Sequence, residues 1–415
     1  KEKRSAPRAK VMQTLVRYGE LFGADGMVPV TSKYNHLVTS FGLKALAPVY
    51  ELMNQLIESG NVSKQKFSAD PRPLDPNVPS SFLQDFVFKN FMYSKQDDYE
   101  KQLTQLGIME KDAYTCTCYM DEVGNTPAMG EVLSWSESSA VVYANSVLGA
   151  RCNRNSGIID LMGSVVGYVP RFGLLTDEGR KATWIVKIET TKKPEAQLLG
   201  SAIGMKVMAD VPYIVGLDKW LGGELDDAAK TYLKDFGAAT ASNGAVGLYH
   251  VENITPEAVK YGKDLIAEDA KVYVVDDAEL QRVYESYPVI WKKKDAKPKL
   301  CFMGCPHMSL QQLIDWTEKV SQSLKEAGRA RVCIPTVFTA APAVLKKFQE
   351  TPYAETLKAT GVITSYICPL MYMNNPLSEK MPVITSSNKL RTYTSARYYT
   401  DAEILEQITK GGADR

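Results

Sequence analysis

The sequence predicts an α/β chain in which parallel sheets are layered by helices. Three observations carry that expectation. From Ala182 to Val275 short apolar strands alternate with helical stretches, and a tidier alternation runs from Leu300 to Cys368. No fixed-period repeat of the solenoid kind is present. Strands separated by helices pair in parallel, because a parallel return needs a crossover of a dozen or more residues.

In chain order, residues 8–24 place Val11, Leu15, Tyr18 and Phe22 at helical spacing, and Leu43–Ile57 reads as a second amphipathic helix. Lys66–Ser81 is crowded with Pro, Asp and Ser and reads as an extended crossing segment, with two short helices following over 81–107. Thr115–Gly130 has turn chemistry and no regular pattern. Ser134–Leu148 reads as a helix, capped by Ser134 or Ser136 with Glu137 in its first turn. Strands are expected at Ala182–Glu189, Tyr213–Val215, Gly247–Val251 and Val272–Val275. The intervening helices are Glu195–Lys206, Leu225–Phe236 and one that Thr255 caps with Pro256 at its first position. Lys292–Lys299 reads as a linker. Beyond it come strand Leu300–Met303, helix Ser309–Ala327, strand Arg331–Pro335, helix Pro342–Glu350 and strand Val362–Cys368. The expected division is a catalytic region over 1–290, in two subdomains, and a C-terminal α/β domain over 291–415.

Composition narrows the function. The chain has 415 residues, enough for two or three buried cores. Forty-nine basic residues against forty-eight acidic leave a net charge of +1, so no nucleic-acid or membrane-surface partner is expected. No run approaches the ~20 apolar residues of a membrane-spanning helix, and no signal peptide is visible. Seven cysteines are too few, and odd in number, for a disulfide framework. A reducing, cytoplasmic setting is expected.

None of those cysteines makes a paired C-x-x-C spacing. Cys301 and Cys333, on apolar stretches, read as small buried hydrophobes. Cys116, Cys305 and Cys368 lie in loops rich in Gly, Pro or Thr, where a thiolate can be offered to metal. Cys305 and Cys368 also fall at strand ends, the edge at which parallel sheets bind ligands. Cys305 and His307 stand two apart and leave open a nucleophile with its base, as in a cysteine hydrolase. The densest polar stretch is Glu137–Asn155. In it Arg151 and Arg154 are candidates for gripping an acidic substrate, with Asn145, Ser146 and Asn153 beside them. Thr385–Lys389 gathers hydroxyls, an amide and an ammonium in one turn, suited to anion binding or to a serine assisted by Lys389. Thr31–His36 is a similar polar loop.

Taken together these stretches resemble the large, catalytic part of aconitase X. The most specific piece is Tyr143–Arg154, preceded by Glu137-Ser138-Ser139-Ala140. Thr115–Tyr119 resembles the family's T-C-T-P-Y with Cys118 at the proline, and Gly304–His307 matches G-C-P-H. Cys368 resembles the late family cysteine, although Tyr366 stands where an acidic residue is expected. Thr385–Lys389 resembles T-N-S-A-K, with Ser386 and Asn388 replacing Asn and Ala. Cys152 stands where the family has Thr.

The resemblance implies an aconitase-like multidomain core and an iron–sulfur cluster, or iron, held by Cys116, Cys305 and Cys368. It implies a hydro-lyase acting on a small hydroxy acid, with the metal as Lewis acid. Ser387 is the expected base, with Lys389 lowering its pKa. Arg151 would clamp the anion, His307 and Asn145 would orient substrate, and Ser146, Asn153, Ser386 and His36 would line the site. Tyr34 is expected to face the cleft as well. A separate small swivel-domain subunit is the expected partner. cis-3-Hydroxy-L-proline is the favoured substrate over mevalonate 5-phosphate, because no cluster of phosphate-binding groups is legible.

Overall fold

The structure is a computed structural model that describes residues 2–110 and 112–411. It is an α/β chain built on parallel pairing, as expected.

The amino-terminal part is mainly helical with two small strand pairs. Helix Glu2–Leu21 begins earlier than its apolar stripe suggests, and Val11 and Leu15 pack against helix Gly157–Val166 through Leu161 and Val165. Strand β1 (Met27–Pro29) pairs antiparallel with the later Tyr168–Pro170, whereas β2 (Tyr34–Leu37) and β3 (Lys66–Ala69) run parallel. Helices Ala47–Glu58, Phe82–Val87 and Gln96–Leu106 follow the expected order. From 107 to 137 the described residues make no helix or strand longer than a bridge. It is held instead by backbone bonds: Thr115 N–H donates to Ala69 O at 2.7 Å, which sets Cys116 beside the end of β3.

The helix expected over 134–148 is shorter, Ser138–Ser146. Trp135 is instead extended and bridged to His36, so the cap falls on Glu137, whose carboxylate accepts the Ser139 N–H at 3.1 Å. With β4 (Tyr168–Pro170) the first part of the chain closes.

A four-stranded parallel sheet follows: β5 (Ala182–Ile188), β6 (Pro212–Val215), β7 (His250–Val251) and β8 (Ile266–Val275), in the order β7-β6-β5-β8. Helices Ala196–Val207, Asp227–Asn243 and Ser138–Ser146 contribute to one core with it. The first two touch at backbone distance: a Cβ on Gly200 would stand 2.3 Å from the Phe236 carbonyl oxygen. Residues 286–299 carry no helix or strand and lead to the next sheet.

That sheet has five parallel strands: β9 (Leu300–Met308), β10 (Thr336–Ala340), β11 (Ile363–Ser365), β12 (Val383–Thr385) and β13 (Arg397–Tyr398), ordered β11-β10-β9-β12-β13. The strand expected at 331–335 lies five residues later. Arg331, Cys333 and Pro335 are exposed, while Thr336–Ala340 is β-branched or apolar and wholly buried. Cys333 is therefore a surface residue, with Arg329 Nη1 2.9 Å from its sulfur. Cys301 is buried, as expected. The last expected strand shrinks to Ile363–Ser365, and Cys368 caps helix Pro369–Met373. Helix Leu310–Glu326 begins with a reciprocal cap between Ser309 and Gln312.

The sheet positions the chemistry. Cys368 and Ser386–Lys389 follow the carboxyl ends of β11 and β12, and Cys305, expected at a strand end, lies instead within the carboxyl half of β9, which runs on to Met308. Gly304 makes the turn that aims Cys305. Its φ is 97°, and a Cβ there would stand 2.3 Å from the Thr339 carbonyl oxygen.

Candidate active site

Cys116, Cys305 and Cys368 are buried and line one cavity of about 240 Å³, together with Asp70, Glu137, His307 and Lys389. Among the described residues no three His, Cys, Asp or Glu side chains form a group placed to hold a single metal ion. The thiols share a cavity rather than a point.

His307 ties their three segments together. Its Nε2 lies 3.0 Å from the Ile367 carbonyl, which can only accept, so Nε2 carries the hydrogen. Nδ1 then accepts from the Thr115 hydroxyl at 3.0 Å, and the His307 N–H points at Cys116 Sγ at 3.4 Å. One residue thus bonds to the neighbours of Cys116 and Cys368 while standing two from Cys305. Burial pushes its pKa down to about 4. With both ring nitrogens engaged elsewhere, this imidazole is not placed to deprotonate Cys305. The Cys305 thiol is itself pushed up by burial, so the geometry does not support a cysteine hydrolase.

Lys389 reaches the cavity from helix Asn388–Tyr393 and forms a buried ion pair with Glu137, 252 residues away in the chain. The Glu137 carboxylate is also bonded by the Ser139 hydroxyl at 2.8 Å. Burial alone would raise its pKa, but the adjacent ammonium outweighs this and holds it at about 2. Burial works against the Lys389 charge too, yet Glu137, Cys305 and Cys116 around it push its pKa well up, so it stays an ammonium.

Asp70 follows β3 directly. Its Oδ1 stands 3.2 Å from His36 Nε2, and His36 Nδ1 lies 2.9 Å from Ser68 Oγ, which Asn125 also bonds at 2.9 Å. Burial, with Glu137 nearby, raises the Asp70 carboxyl. Burial would lower His36, but the Cys118 thiol and Asp70 beside it outweigh that and push it up to about 10. The three histidines therefore separate: His36 is protonated at neutral pH, while His307 and His250, which burial holds at about 4, are neutral. Nitrogen-15 NMR of labelled imidazoles at pH 7.5 should show one charged ring and two neutral ones. The linkage has a definite sign. The last two histidines contribute stability present above their ordinary value of 6.5, and it is lost as pH falls towards 4.

The other expected site residues lie elsewhere. Ser387 caps the Lys389 helix: its Oγ accepts the Leu390 N–H at 3.1 Å and donates to the Cys305 carbonyl. It lines a neighbouring cavity of about 420 Å³, as does Ser386, whose hydroxyl points at Met303 Sδ at 3.4 Å. Arg151 pairs with Asp177 and donates to the Leu175 carbonyl at 3.0 Å. Asn145 bonds the Cys152 and Gly247 carbonyls and accepts from Arg180, which is itself buried on Glu257 at 2.8 Å. Ser146 Oγ accepts the Tyr249 N–H, and Asn153 bonds Phe172 and Leu174. These four hold the fold around the Ser138–Ser146 helix and do not line the thiol cavity. Tyr34 sits half-buried on β2, away from the cavity lining. Asp70 was missed because nothing in its Pro- and Asp-rich segment marks it. Glu137 was legible as a cap, though not as the partner of Lys389.

Known proteins agree with this architecture. The profile of the Aconitase X first domain matches residues 1–178 and that of the Aconitase X second domain residues 182–285. The phosphomevalonate dehydratase large subunit of Thermococcus kodakarensis is 31% identical over 353 residues, covering 84% of this chain and 81% of that one. Its counterpart from Methanosarcina mazei is 28% identical over 98% of this chain and 94% of its own. The cis-3-hydroxy-L-proline dehydratase of Hypocrea jecorina is 33% identical over 51% of this chain but only 34% of its own length. The crystal structure of Thermococcus kodakaraensis aconitase X in its holo-form superposes with a TM-score of 0.77 at 27% identity, covering 97% of this chain and 95% of that one. No helix among the described residues is long and apolar enough to cross a membrane. With the expected motifs in order, the fold shared throughout and dehydratases as its relatives, the chain belongs to the aconitase X family and is a hydro-lyase.

Proposed function

We propose that this chain is the catalytic large subunit of an iron–sulfur hydro-lyase that removes water from a small hydroxy acid. The observation that carries the reading is the shared cavity: three thiols from distant segments face it together with one buried ammonium. Cys116, Cys305 and Cys368 would hold the cluster. Three thiols suit soft, multinuclear iron–sulfur chemistry better than a hard cation. When bound, such a centre supplies a Lewis acid for the departing hydroxyl.

The chain's own residues supply the rest. Lys389, kept charged by Glu137, pairs with the substrate carboxylate and stabilises charge that builds on it as the neighbouring proton leaves. Asp70, in the cavity with its carboxyl raised and His36 behind it, is placed to pass a proton. His307 keeps the cysteine segments in register. Ser387 is read as a positioning residue, because its hydroxyl is spent on the helix cap and on Cys305. Ser387→Ala should therefore cost about 1 kcal/mol of stability and leave kcat within a few-fold. A loss of about 10²-fold or more would restore serine as the base.

Relatives named as large subunits support a separate small subunit as partner. The seven free thiols suit a reducing, cytoplasmic setting. The test is anaerobic co-purification with the small subunit, followed by a dehydration assay on cis-3-hydroxy-L-proline and mevalonate 5-phosphate. Turnover of one of them is expected. An iron-loaded complex that dehydrates no hydroxy acid would overturn the reading.

A further inference from the structure

Two lysines are buried among the described residues, Lys389 and Lys234. The first serves the thiol cavity. The second stands on helix Asp227–Asn243, is 1% exposed, and has no part in the chemistry above.

Its ammonium donates to the Asp235 carboxylate at 2.6 Å and to the His307 carbonyl at 3.1 Å. The other Asp235 oxygen accepts from Gln312 at 2.7 Å, and Gln312 closes the reciprocal cap with Ser309. The pair is thus anchored at its acidic end to the start of helix Leu310–Glu326. Its basic end reaches the strand that carries Cys305.

A second contact runs the same way. Gln197, from helix Ala196–Val207, donates to the Cys305 carbonyl at 3.4 Å and accepts the Asn388 N–H at 2.9 Å. Two helices packed on the four-stranded sheet therefore grip the Cys305-Pro306-His307 stretch of the five-stranded one by both of its outer carbonyls. Of the two grips only Lys234 carries charge.

Packing does not require that charge. A buried ion pair is often no more stable than apolar side chains of similar volume, and a neutral donor can bond a carbonyl equally well. The location is what distinguishes Lys234. It lies within electrostatic reach of both Cys305 and His307, yet does not line the thiol cavity. Three thiolates gathered about iron concentrate negative charge, and a buried cation behind one of them offsets it where water is excluded.

Resting on the reading of Cys116, Cys305 and Cys368 as cluster ligands, we propose that Lys234 is a positioning residue, which fixes the Cys305–His307 stretch from behind and supplies positive charge to the cluster. It touches no substrate and acts through the two residues it holds.

The test uses the intact two-subunit complex in wild type, Lys234→Met and Lys234→Arg. In metal-free protein, hydrogen exchange of the amides between Gly304 and Met308 should quicken in Lys234→Met by roughly 10- to 100-fold, the scale of one lost hydrogen bond to a charged group. In anaerobically loaded protein, iron should pass to a chelator about 10- to 100-fold faster. The cluster's reduction potential should also fall, because a charge that favours the reduced form is gone; a purely structural tie would leave that potential in place. Lys234→Arg, which keeps charge and donors, should recover most of each effect. Lys230→Met, one turn earlier at an exposed pair with Asp227, should match wild type.

Unchanged exchange between Gly304 and Met308 overturns the proposal. Faster exchange with an unchanged potential overturns it too, leaving Lys234 as a tie between the two sheets. Should Lys234→Met fail to assemble, Lys234→Met with Asp235→Leu, which strands no charge, is measured with the same expectations. A wild-type complex that takes up no iron would count against the cluster reading alone, since exchange in metal-free protein still decides whether Lys234 holds the stretch.

Discussion

Lys389→Met should cost about 3–5 kcal/mol of stability, because it strands the Glu137 carboxylate in a buried site. It should also lower kcat by about 10²–10³-fold, the scale of removing one preorganised charge-stabilising donor. Denaturant unfolding and steady-state turnover read the two effects. They separate in the double variant Glu137→Leu with Lys389→Met, which removes both charges. Stability should return substantially, since replacing a buried pair by apolar side chains is often neutral. Activity should not return, because the ammonium facing the thiols is gone. If the double variant regained activity with its stability, Lys389 would be a structural latch between distant segments and nothing more.

The second large effect concerns the thiols. Cys305→Ser should reduce dehydration by about 10³-fold or more, since a Lewis acid supplies several kcal/mol and each 1.36 kcal/mol is tenfold. Cys116→Ser and Cys368→Ser should do the same. Cys301→Ser, equally buried but on the far stretch of β9, should retain bound iron and most activity. The contrast removes the objection that any buried cysteine is sensitive to replacement. Equal losses in all four would show that core packing, and not ligation, explains the phenotype.

Much of the framework was legible because local rules and tertiary packing agree. Helix Leu310–Glu326 carries its own start signal in Ser309 and Gln312, and β5 alternates clearly enough to be read alone. Agreement fails where packing overrides the local pattern. Trp135 looks like part of a helix, yet pairing with His36 holds it extended and moves the cap to Glu137. The apolar Val332 and Ile334 resemble a strand, but the chain there has exposed residues and the pairing begins at Thr336.

The site divides in the same way. Three cysteines in turn-rich loops and Lys389 after a strand are visible locally. The Glu137–Lys389 pair is not, because its partners lie on different sheet regions and no spacing connects them. Arg151 and Asn145 mislead for a specific reason. The fork that grips a substrate carboxylate serves equally well for Asp177, and an amide that could orient a ligand instead closes a network with Arg180. Among the described residues Arg154, three positions further on, makes no ion pair, and only the folded chain distinguishes it from Arg151.

The most direct measurement is thiol alkylation mapped by mass spectrometry on the anaerobic, iron-loaded complex. Cys116, Cys305 and Cys368 should be protected together, and Cys116→Ser should expose both of the others at once, with parallel loss of iron and sulfide. Independent labelling of the three, with iron retained when one is removed, would contradict shared ligation.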